Sequence, residues 1–199
     1  WLSSAPEWVF TLYAIAASFS AYFAMYAFRK PFAAASFADQ HLGAVDLKTA
    51  LVISQIVGYA LSKFVGIKVC SEITPNRRAA ALVLLVLWAQ VALLVFAIVP
   101  PELQLVAIFL NGLPLGMVWG MVVGYLEGRR TSELLLAGLS CSFILASGAV
   151  KDAGRALMSN WSVTEARMPA ATGLCFLPMF LVAVWALDQI PAPTPADED

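Results

Sequence analysis

Two segments of the chain combine tyrosines with basic side chains inside or beside a long apolar stretch. Arginine binds phosphate or carboxylate oxygens through two parallel hydrogen bonds, lysine adds a compact positive charge, and tyrosine hydroxyls complete the hydrogen bonding. This combination favours the binding of a small anion. The residues are Tyr22, Tyr26, Arg29 and Lys30 in the first segment, and Tyr59 and Lys63 in the second.

These side chains share a face if each segment is helical. At 100° per residue, the polar residues of the first segment fall within roughly 60° of one another, with Lys30 close beside them. They are Thr11, Ser18, Tyr22, Tyr26 and Arg29. In the second segment, Gln55, Tyr59 and Lys63 are spaced by four residues, with Ser62 on the flank. Because neither apolar stretch supplies an acid and charge in lipid is costly, the cations indicate a pathway or pocket for an anion.

The depth of the cations distinguishes two interpretations. Lys63 lies about twelve residues from Leu51, or roughly 18 Å along a helix, which is deep for a residue at a helix end. Arg29 lies either inside a long helix kinked at Pro31 or at the end of a shorter helix. In the alternative interpretation, Arg29, Lys30 and Lys63 extend to the membrane surface and their tyrosines belong to an aromatic belt.

The composition predicts that a bilayer surrounds these segments. The 199 residues are 61% hydrophobic and 13% charged, and the mean hydropathy is +0.81, far from the values of a soluble domain. Six segments reach the length of about 20 residues at which an apolar helix spans a bilayer. They cover residues 8 to at least 28, 51–69, 79–99, 103–125, about 134–150, and 170–187.

We therefore predict an all-α membrane protein with a bundle of six transmembrane helices over residues 1–190, since the apolar runs are too long and continuous for barrel strands. Ser4, Pro6 and Glu7 have the residue types of a helix cap, a first-turn proline and a first-turn acid. Residues 191–199 alternate proline with small residues and end acidic, as expected at the start of a cytoplasmic linker or tail.

Basic residues in the connections predict the orientation. The even-numbered connections carry Lys68, Arg77, Arg78, Arg129 and Arg130, and the odd-numbered connections carry Lys48, Arg155 and Arg167. The positive-inside rule favours a cytoplasmic N-terminus, with the cell (inner) membrane as the location, provided that Arg29 and Lys30 are counted as embedded. With six spans, both ends of the bundle would then face the cytoplasm.

Glycines recur every four residues along the fourth segment, and we assign them to helix packing because they form a ridge that another backbone can approach closely. They are Gly112, Gly116, Gly120, Gly124 and Gly128. A phosphate-binding loop would need a preceding strand and a Gly-Lys-Ser/Thr ending. Asn111 and Trp119, on the same segment, favour packing or interhelical hydrogen bonds over ligand contacts.

The other reactive residue types predict no enzyme. The three cysteines lack metal-ligand spacing, and His41, the single histidine, lies in a connection and favours a solvated or membrane-surface role. We predict no catalytic residue, metal, cofactor or nucleic-acid partner. Lys151 and Arg155 follow the fifth apolar run, where anchoring at the membrane edge is the favoured role and an anion-attracting vestibule is the alternative.

Three short motifs resemble those of a transporter family. They are Tyr26-Ala-Phe-Arg29-Lys30-Pro-Phe32, Tyr59-Ala-Leu-Ser62-Lys63-Phe64 and Asn111-Gly112-Leu-Pro-Leu-Gly116-Met-Val-Trp119. The first resembles the Tyr-x-x-Arg-Lys-x-Phe pattern of the organophosphate:phosphate antiporter family of the major facilitator superfamily. The others are similar to that family's Tyr-x-x-Ser-Lys-Phe and Asn/Cys-Gly-x-x-Gln-Gly-x-Gly-Trp segments. The resemblance covers residues 22–78 and the fourth segment.

The resemblance implies a site and an activity. Arg29 would hold a substrate phosphate near the midplane, Lys30 and Lys63 would supply further positive charge, and Tyr22 and Tyr26 would line the cavity. The chain would be the N-terminal six-helix half of a secondary transporter that works by alternating access. Its partner would be a second six-helix half, from the same polypeptide or from a homodimer mate.

Three positions depart from that family's pattern. Leu115 replaces a glutamine, the fifth-helix histidine has no counterpart near Phe143, and Gly66-Ile-Lys-Val-Cys70-Ser71 replaces a Gly-x-x-x-Asp-Arg loop. The candidates for a substitute conformational latch are Glu72, Arg77 and Arg78. These departures leave open a membrane sensor or scaffold that keeps the transporter fold without transport. An intramembrane enzyme is the weakest alternative, because no span holds a histidine to act as a base.

Overall fold

The computed structural model describes residues 2, 5–38 and 40–193, so the predicted cap at Ser4 and most of the predicted tail lie outside the described residues. Six α-helices are long and apolar enough to cross a membrane. They are α1 (Glu7–Met25), α2 (Leu47–Glu72), α3 (Pro75–Phe96), α4 (Pro101–Val123), α5 (Ser132–Trp161) and α6 (Met168–Asp188). The predicted all-α bundle of six helices is confirmed, and the protein is an integral multi-pass membrane protein.

Capping residues fix several helix starts. The Asp46 carboxylate accepts a hydrogen bond from the backbone N–H of Thr49 at 3.1 Å, which caps α2. Pro75 and Pro101 are the first residues of α3 and α4, positions at which a helix loses nothing by lacking an N–H. These helices therefore begin at a capping residue or a proline, a few residues ahead of the apolar runs.

The α1–α2 connection contains a short antiparallel hairpin of β1 (His41–Leu42) and β2 (Val45–Asp46). Gly43 occupies the turn with φ of 61°, a left-handed conformation that glycine adopts without steric cost. His41 is exposed in this connection. The hairpin is a small addition to an otherwise helical fold.

The helix α5 is longer than its apolar run. The sequence prediction ended this span near Val150, whereas α5 continues to Trp161. Along the extension, Arg155 and Asp152 form an ion pair of 2.7 Å, and Ser162 ends the helix in a left-handed conformation with φ of 54°. Hydropathy marks where the apolar surface ends, not where backbone hydrogen bonding ends, so the predicted boundary was about three turns short.

The α-helix α1 ends before Arg29. It stops at Met25, a 3-10 turn covers Tyr26–Phe28, and a second 3-10 turn covers Pro31–Ala34. Pro31 has no N–H, and its ring restricts the backbone of the residue before it. The chain thus follows the shorter of the two predicted courses, because the helical span ends at Phe28 and Arg29 lies between two short turns, not inside a long kinked helix.

The six helices pack as an open series. α2 packs along α4, α4 along α3, α3 against α6, α6 against α1, and α1 against α5, while α1 and α4 meet in the middle. The two ends of the series, α2 and α5, border a face that α1 and α4 line. Elsewhere the outer surface is apolar, with Phe64, Ile67 and Ile144 72–75% exposed, as expected of side chains that face lipid.

Glycines bring the backbones of α2 and α4 close together. A Cβ on Gly112 would lie 2.7 Å from the carbonyl oxygen of Gln55, and one on Gly116 would lie 2.8 Å from that of Tyr59. No side chain fits at either position without separating the helices. The ridge therefore fixes the position of the Tyr59 backbone.

Farther along, the glycine ridge changes partners. Gly120 lies against Cys70 of α2, whereas Gly124 follows the last residue of α4 and lies beside Arg78 of α3. Gly128 belongs to the α4–α5 connection, with φ of 75°. The four-residue spacing of the glycines thus continues beyond the end of α4.

Candidate anion-binding site

Arg29 and Lys63 meet at the ring of Tyr59. The Arg29 guanidinium carbon lies 3.8 Å from the centroid of this ring, and the Lys63 Nζ lies 5.2 Å from the same centroid. Both distances are within the range of cation–π attraction. Arg29 and Tyr59 are half-buried, and Lys63 is exposed, so the cluster begins in the bundle and opens to its surface.

Two buried amides hold the broken end of α1. Asn111 Nδ2 donates hydrogen bonds to the carbonyl oxygens of Phe28 (3.0 Å) and Ala89 (3.1 Å). Gln55 Nε2 donates to the carbonyl oxygen of Arg29 (3.0 Å) and to Asn111 Oδ1 (2.9 Å). The bonds to Phe28 and Arg29 satisfy carbonyls that the end of α1 leaves unpaired, and the bond to Ala89 links Asn111 to the interior of α3. The break is therefore a fixed part of the fold.

The same hydrogen bonds set the depth of the Arg29 backbone. Gln55 follows Leu47, the first residue of α2, by a distance of about 12 Å at 1.5 Å per residue. Asn111 follows Pro101, the first residue of α4, by about 15 Å. The backbone of Arg29, bonded to Gln55, lies well inside the bundle.

The positive charge of Arg29 has no acidic partner among the described residues. The ion pairs that these residues form with one another are Lys68–Glu72 and Asp152–Arg155. The Nε of Arg29 is buried without a hydrogen-bond partner in the described part of the chain. Lys30 is close enough to Arg29 and to Lys151 of α5 to be repelled by both. Concentrated positive charge with a spare buried donor is suited to binding an anion.

Three aromatic side chains from different helices contact one another, and we call Tyr22, Trp119 and Phe143 the aromatic wall. Between ring centroids, Tyr22 of α1 lies 5.0 Å from Trp119 of α4 and 6.2 Å from Phe143 of α5. Trp119 and Phe143 are 5.8 Å apart, and all three pairs are edge to face, a favoured geometry. Tyr26 packs on Tyr22 at 5.6 Å, and both tyrosines lie within electrostatic reach of Arg29.

The structure brings most of the residues predicted for substrate binding into one cluster. Arg29 and Lys63 each lie at the Tyr59 ring, Tyr22 and Tyr26 lie within electrostatic reach of Arg29, and Lys30 lies towards α5. Ligand binding by these residues stays a prediction. The polar face predicted along the second segment is divided, because Gln55 points to backbone carbonyls whereas Tyr59 and Lys63 approach Arg29.

Sequence reasoning missed what Gln55 does and gave Asn111 only a general packing or hydrogen-bonding role. The interhelical hydrogen bonds favoured for Asn111 are confirmed, but their target, the broken end of α1, was not anticipated. A proline soon after a helical run leaves backbone carbonyls without donors. Amide side chains in neighbouring apolar runs are the sequence signal for the groups that donate to those carbonyls. The aromatic wall was also missed, since contacts between α1, α4 and α5 depend on the packing order.

The sequence profile of a family of unknown function, DUF5690, matches residues 31–199, which is most of the chain. The chain belongs to the DUF5690 family. The match includes Tyr59, Lys63 and the aromatic residues of α4 and α5, while Arg29 lies just before it. Comparisons with curated proteins and with solved structures find no match.

The predicted latch residues do not gather in this DUF5690 protein. Glu72 pairs with Lys68 of its own helix at 3.9 Å, and both side chains are exposed. Arg78 donates a hydrogen bond to the carbonyl oxygen of Gly124, and Arg77 is exposed. Within the described residues, no hydrogen bond or ion pair joins the three. Arg78 alone links two helices, α3 and the end of α4.

At the opposite end of the DUF5690 bundle, Glu165 clamps two connections together. Its Oε1 accepts hydrogen bonds from the backbone N–H (2.9 Å) and hydroxyl (2.7 Å) of Ser36, and its Oε2 accepts one from the backbone N–H of Phe37 (2.8 Å). Burial alone would raise the pKa of Glu165, but these hydrogen bonds, with the charge of Lys48, outweigh burial and lower the pKa below its usual value. The clamp ties the α1–α2 connection to the α5–α6 connection.

The arrangement offers binding by charge and aromatic contact. Among the residues that the structure describes, no three His, Cys, Asp or Glu side chains lie close enough to hold a metal ion. The groups around Arg29 are positive charges and hydrogen-bond donors, which are suited to attracting an anion.

Proposed function

We propose that this chain is the N-terminal six-helix half of a secondary active transporter for a small organic anion, of the organophosphate type that the resemblance implies. One observation carries the proposal. The Arg29 guanidinium lies over the Tyr59 ring where α1 breaks inside the bundle, and it has no described acid to pair with.

The energetics of buried charge support an anion at Arg29. Moving an ion from water into an apolar interior costs several kcal/mol, whereas a cation–π contact contributes about 0.5 to 2 kcal/mol. A bound phosphate or carboxylate would offset the remainder through charge-assisted hydrogen bonds. The depth of about 12 Å along α2 is close to half of a hydrocarbon core ~30 Å thick, which supports a site near the midplane.

A second six-helix half, from the same polypeptide or from a second copy, would complete the site. The face between α2 and α5 is where Lys63 is exposed, so a partner bundle there would meet the bound anion. Rocking of the two halves would expose the anion to each side of the membrane in turn. This places the substrate between cations of both halves.

The orientation follows from the connections. At the same end as the start of α1, Arg77 and Arg78 lie in the first turn of α3, and Arg129 and Arg130 lie in the α4–α5 connection. By the positive-inside rule, this end would face the cytoplasm from the cell (inner) membrane.

Counterflow in proteoliposomes tests the proposed function. The natural full-length polypeptide, loaded with a phosphorylated or carboxylated metabolite, should exchange it for the labelled compound, and Arg29→Ala should reduce this exchange at least tenfold. Arg29→Lys keeps the charge but loses the planar fork, so it should retain part of the activity. Arg167→Ala removes an exposed arginine from the α5–α6 connection and serves as the matched control. Undiminished exchange of every anion by Arg29→Ala would remove the proposed site.

A sensor or scaffold that binds an anion without transporting it is the second candidate. The observation that favours it is the ion pair of Glu72 with Lys68 on the same helix, which leaves no acid–base latch between helices at that position. Isothermal titration with the purified protein distinguishes the two. Arg29-dependent binding with no flux in vesicles would support a sensor over a transporter.

A further inference from the structure

Two rings of the aromatic wall, those of Trp119 and Phe143, keep part of their surface exposed. Tyr22 is buried, whereas Trp119 and Phe143 are each only half-buried although their rings touch one another. Both belong to helices that line or border the open face between α2 and α5. Faces of two rings are therefore available to a ligand whose anionic group lies at Arg29.

The ring faces of Trp119 and Phe143 are apolar. Within the described residues, the indole N–H of Trp119 has no hydrogen-bond partner, and Leu115, one turn earlier on α4, is fully buried. The Gln55 amide donates to the Arg29 carbonyl oxygen and to Asn111 Oδ1, and the Asn111 amide donates to two backbone carbonyl oxygens. A ligand with several hydroxyl groups would find hydrogen-bond partners at the tyrosine hydroxyls of the cluster but not at the ring faces of Trp119 and Phe143, where each unpaired hydroxyl carries a desolvation cost.

The charge at the opposite side of the cluster is positive throughout. Arg29 and Lys63 lie over the Tyr59 ring, and Lys30 lies near Lys151. Cations at one side and ring faces at the other match a molecule with an anionic end and a flat apolar end.

We propose that the substrate of this site is a small aromatic anion, whose phosphate or carboxylate contacts Arg29 and whose ring packs against Trp119 and Phe143. The inference rests on the proposed anion site and narrows its ligand. A ring in this position would complete an edge-to-face cluster with the aromatic wall, while the indole N–H of Trp119 would donate to the anionic group. Sugar phosphates and inorganic phosphate would lack the ring contact.

The test compares anions that differ in the ring. Phenyl phosphate should compete with labelled counterflow substrate in the wild-type full-length protein at roughly tenfold lower concentration than glycerol 3-phosphate, and benzoate should do so at lower concentration than acetate. Trp119→Leu and Phe143→Leu keep apolar bulk without an aromatic face. Each should weaken phenyl phosphate by roughly tenfold and glycerol 3-phosphate by less than twofold. Trp185→Leu, which removes a 65% exposed ring from α6, should change neither.

The outcomes separate this inference from the proposed function. If Arg29→Ala abolishes counterflow but the ring confers no advantage in the wild-type competition series, the anion site stands and the aromatic substrate is wrong. If no anion responds to Arg29→Ala, both fail. The wild-type competition series needs no variant, so it decides the inference even where Trp119→Leu does not fold.

Discussion

At the scale of single residues, Tyr59 holds two cations near each other. Its ring lies 3.8 Å from the Arg29 guanidinium carbon and 5.2 Å from the Lys63 Nζ. The ring attracts each of these cations through its quadrupole. Arg29 belongs to the half-buried part of the cluster and Lys63 to its exposed edge, so an incoming anion would meet Lys63 first.

Substitution of Tyr59 tests the role of its ring. Tyr59→Phe keeps the ring face and should leave stability within about 0.5 kcal/mol of the wild type. Tyr59→Leu removes the cation–π contact and should lower the free energy of unfolding by about 1 to 2 kcal/mol. Unfolding of the purified protein in detergent, titrated with SDS, measures both. Equal stability of the Phe and Leu variants would show that the ring face does not matter.

The carbonyl contacts of Asn111 give a second test at this scale. Asn111→Leu should lower the free energy of unfolding by about 1 to 3 kcal/mol, because it leaves the carbonyl oxygen of Phe28 without a donor in a buried place. Asn160→Leu, at an exposed position near the end of α5, provides the control. An Asn111→Leu variant as stable as this control would mean that the break in α1 needs no external donors.

At the scale of helices, the α2–α4 contact positions the cluster. Gly112 leaves room for the Gln55 carbonyl oxygen and the Tyr59 backbone nitrogen, which a Cβ would approach to 2.7 and 3.0 Å. Since both neighbours are backbone atoms, a side chain at Gly112 would push α2 away from α4. The residues of α2 that serve the site, Tyr59 and Lys63, would move with it.

Alanine substitutions at two glycines separate this steric effect from helix propensity. Gly112→Ala should destabilise the protein by about 1 to 3 kcal/mol and weaken anion binding. Gly148→Ala, on α5, adds a Cβ with no atom within 4 Å, so it should be neutral or stabilise the helix by up to about 1 kcal/mol. Thermal unfolding of both variants provides the comparison, and a Gly112→Ala variant that gains stability would contradict the close approach.

Helix number and rough position were predictable from the sequence because hydropathy and length decide them. The extent of α5 was not predictable in this way. Residues 151–161 continue the helix, but their polar side chains are of the kind found at a membrane edge, so hydropathy does not include them. For the site, spacing along single helices predicted that Tyr59 accompanies Lys63 and that Tyr26 accompanies Arg29. Contacts between helices, such as Trp119 with Phe143, depend on the packing order, which no local pattern contains.

At the scale of the whole molecule, Glu165 fixes one end of the bundle. It accepts hydrogen bonds from Ser36 and Phe37, soon after the break in α1 at Arg29. Phe37 is itself buried against Phe96 of α3, with 6.4 Å between ring centroids. The clamp thus ties the α1–α2 connection to two other parts of the fold, so its loss should loosen the chain that follows the site.

The clamp predicts a dependence of stability on pH. The folded pKa of Glu165 lies below its ordinary value near 4.5, so its contribution is present above pH 4.5 and is lost as the pH falls through the folded pKa. Glu165→Gln should remove this component of acid destabilisation, whereas Glu133→Gln, at an exposed position, should leave it intact. Unfolding titrations between about pH 6 and 3 compare them. Identical pH profiles for the wild type and Glu165→Gln would contradict the clamp.

Because the helices pack as an open series, the molecule has one face that carries both cationic and aromatic side chains. The face bordered by α2 and α5 offers Lys63 and the half-buried rings of Trp119 and Phe143. Over other surfaces, exposed side chains such as Phe64 and Ile144 suit lipid. This asymmetry agrees with a bundle that meets a second one across a shared anion.

The central claim, that a positive charge at position 29 binds the transported anion, is tested most directly by restoring that charge chemically. In a full-length protein whose Cys70, Cys141 and Cys175 are replaced by alanine, Arg29→Cys should lose counterflow. Modification with 2-aminoethyl methanethiosulfonate places an ammonium at this position and should restore part of the exchange. The neutral reagent methyl methanethiosulfonate should not. Wild-type exchange by unmodified Arg29→Cys, or equal rescue by both reagents, would contradict the claim.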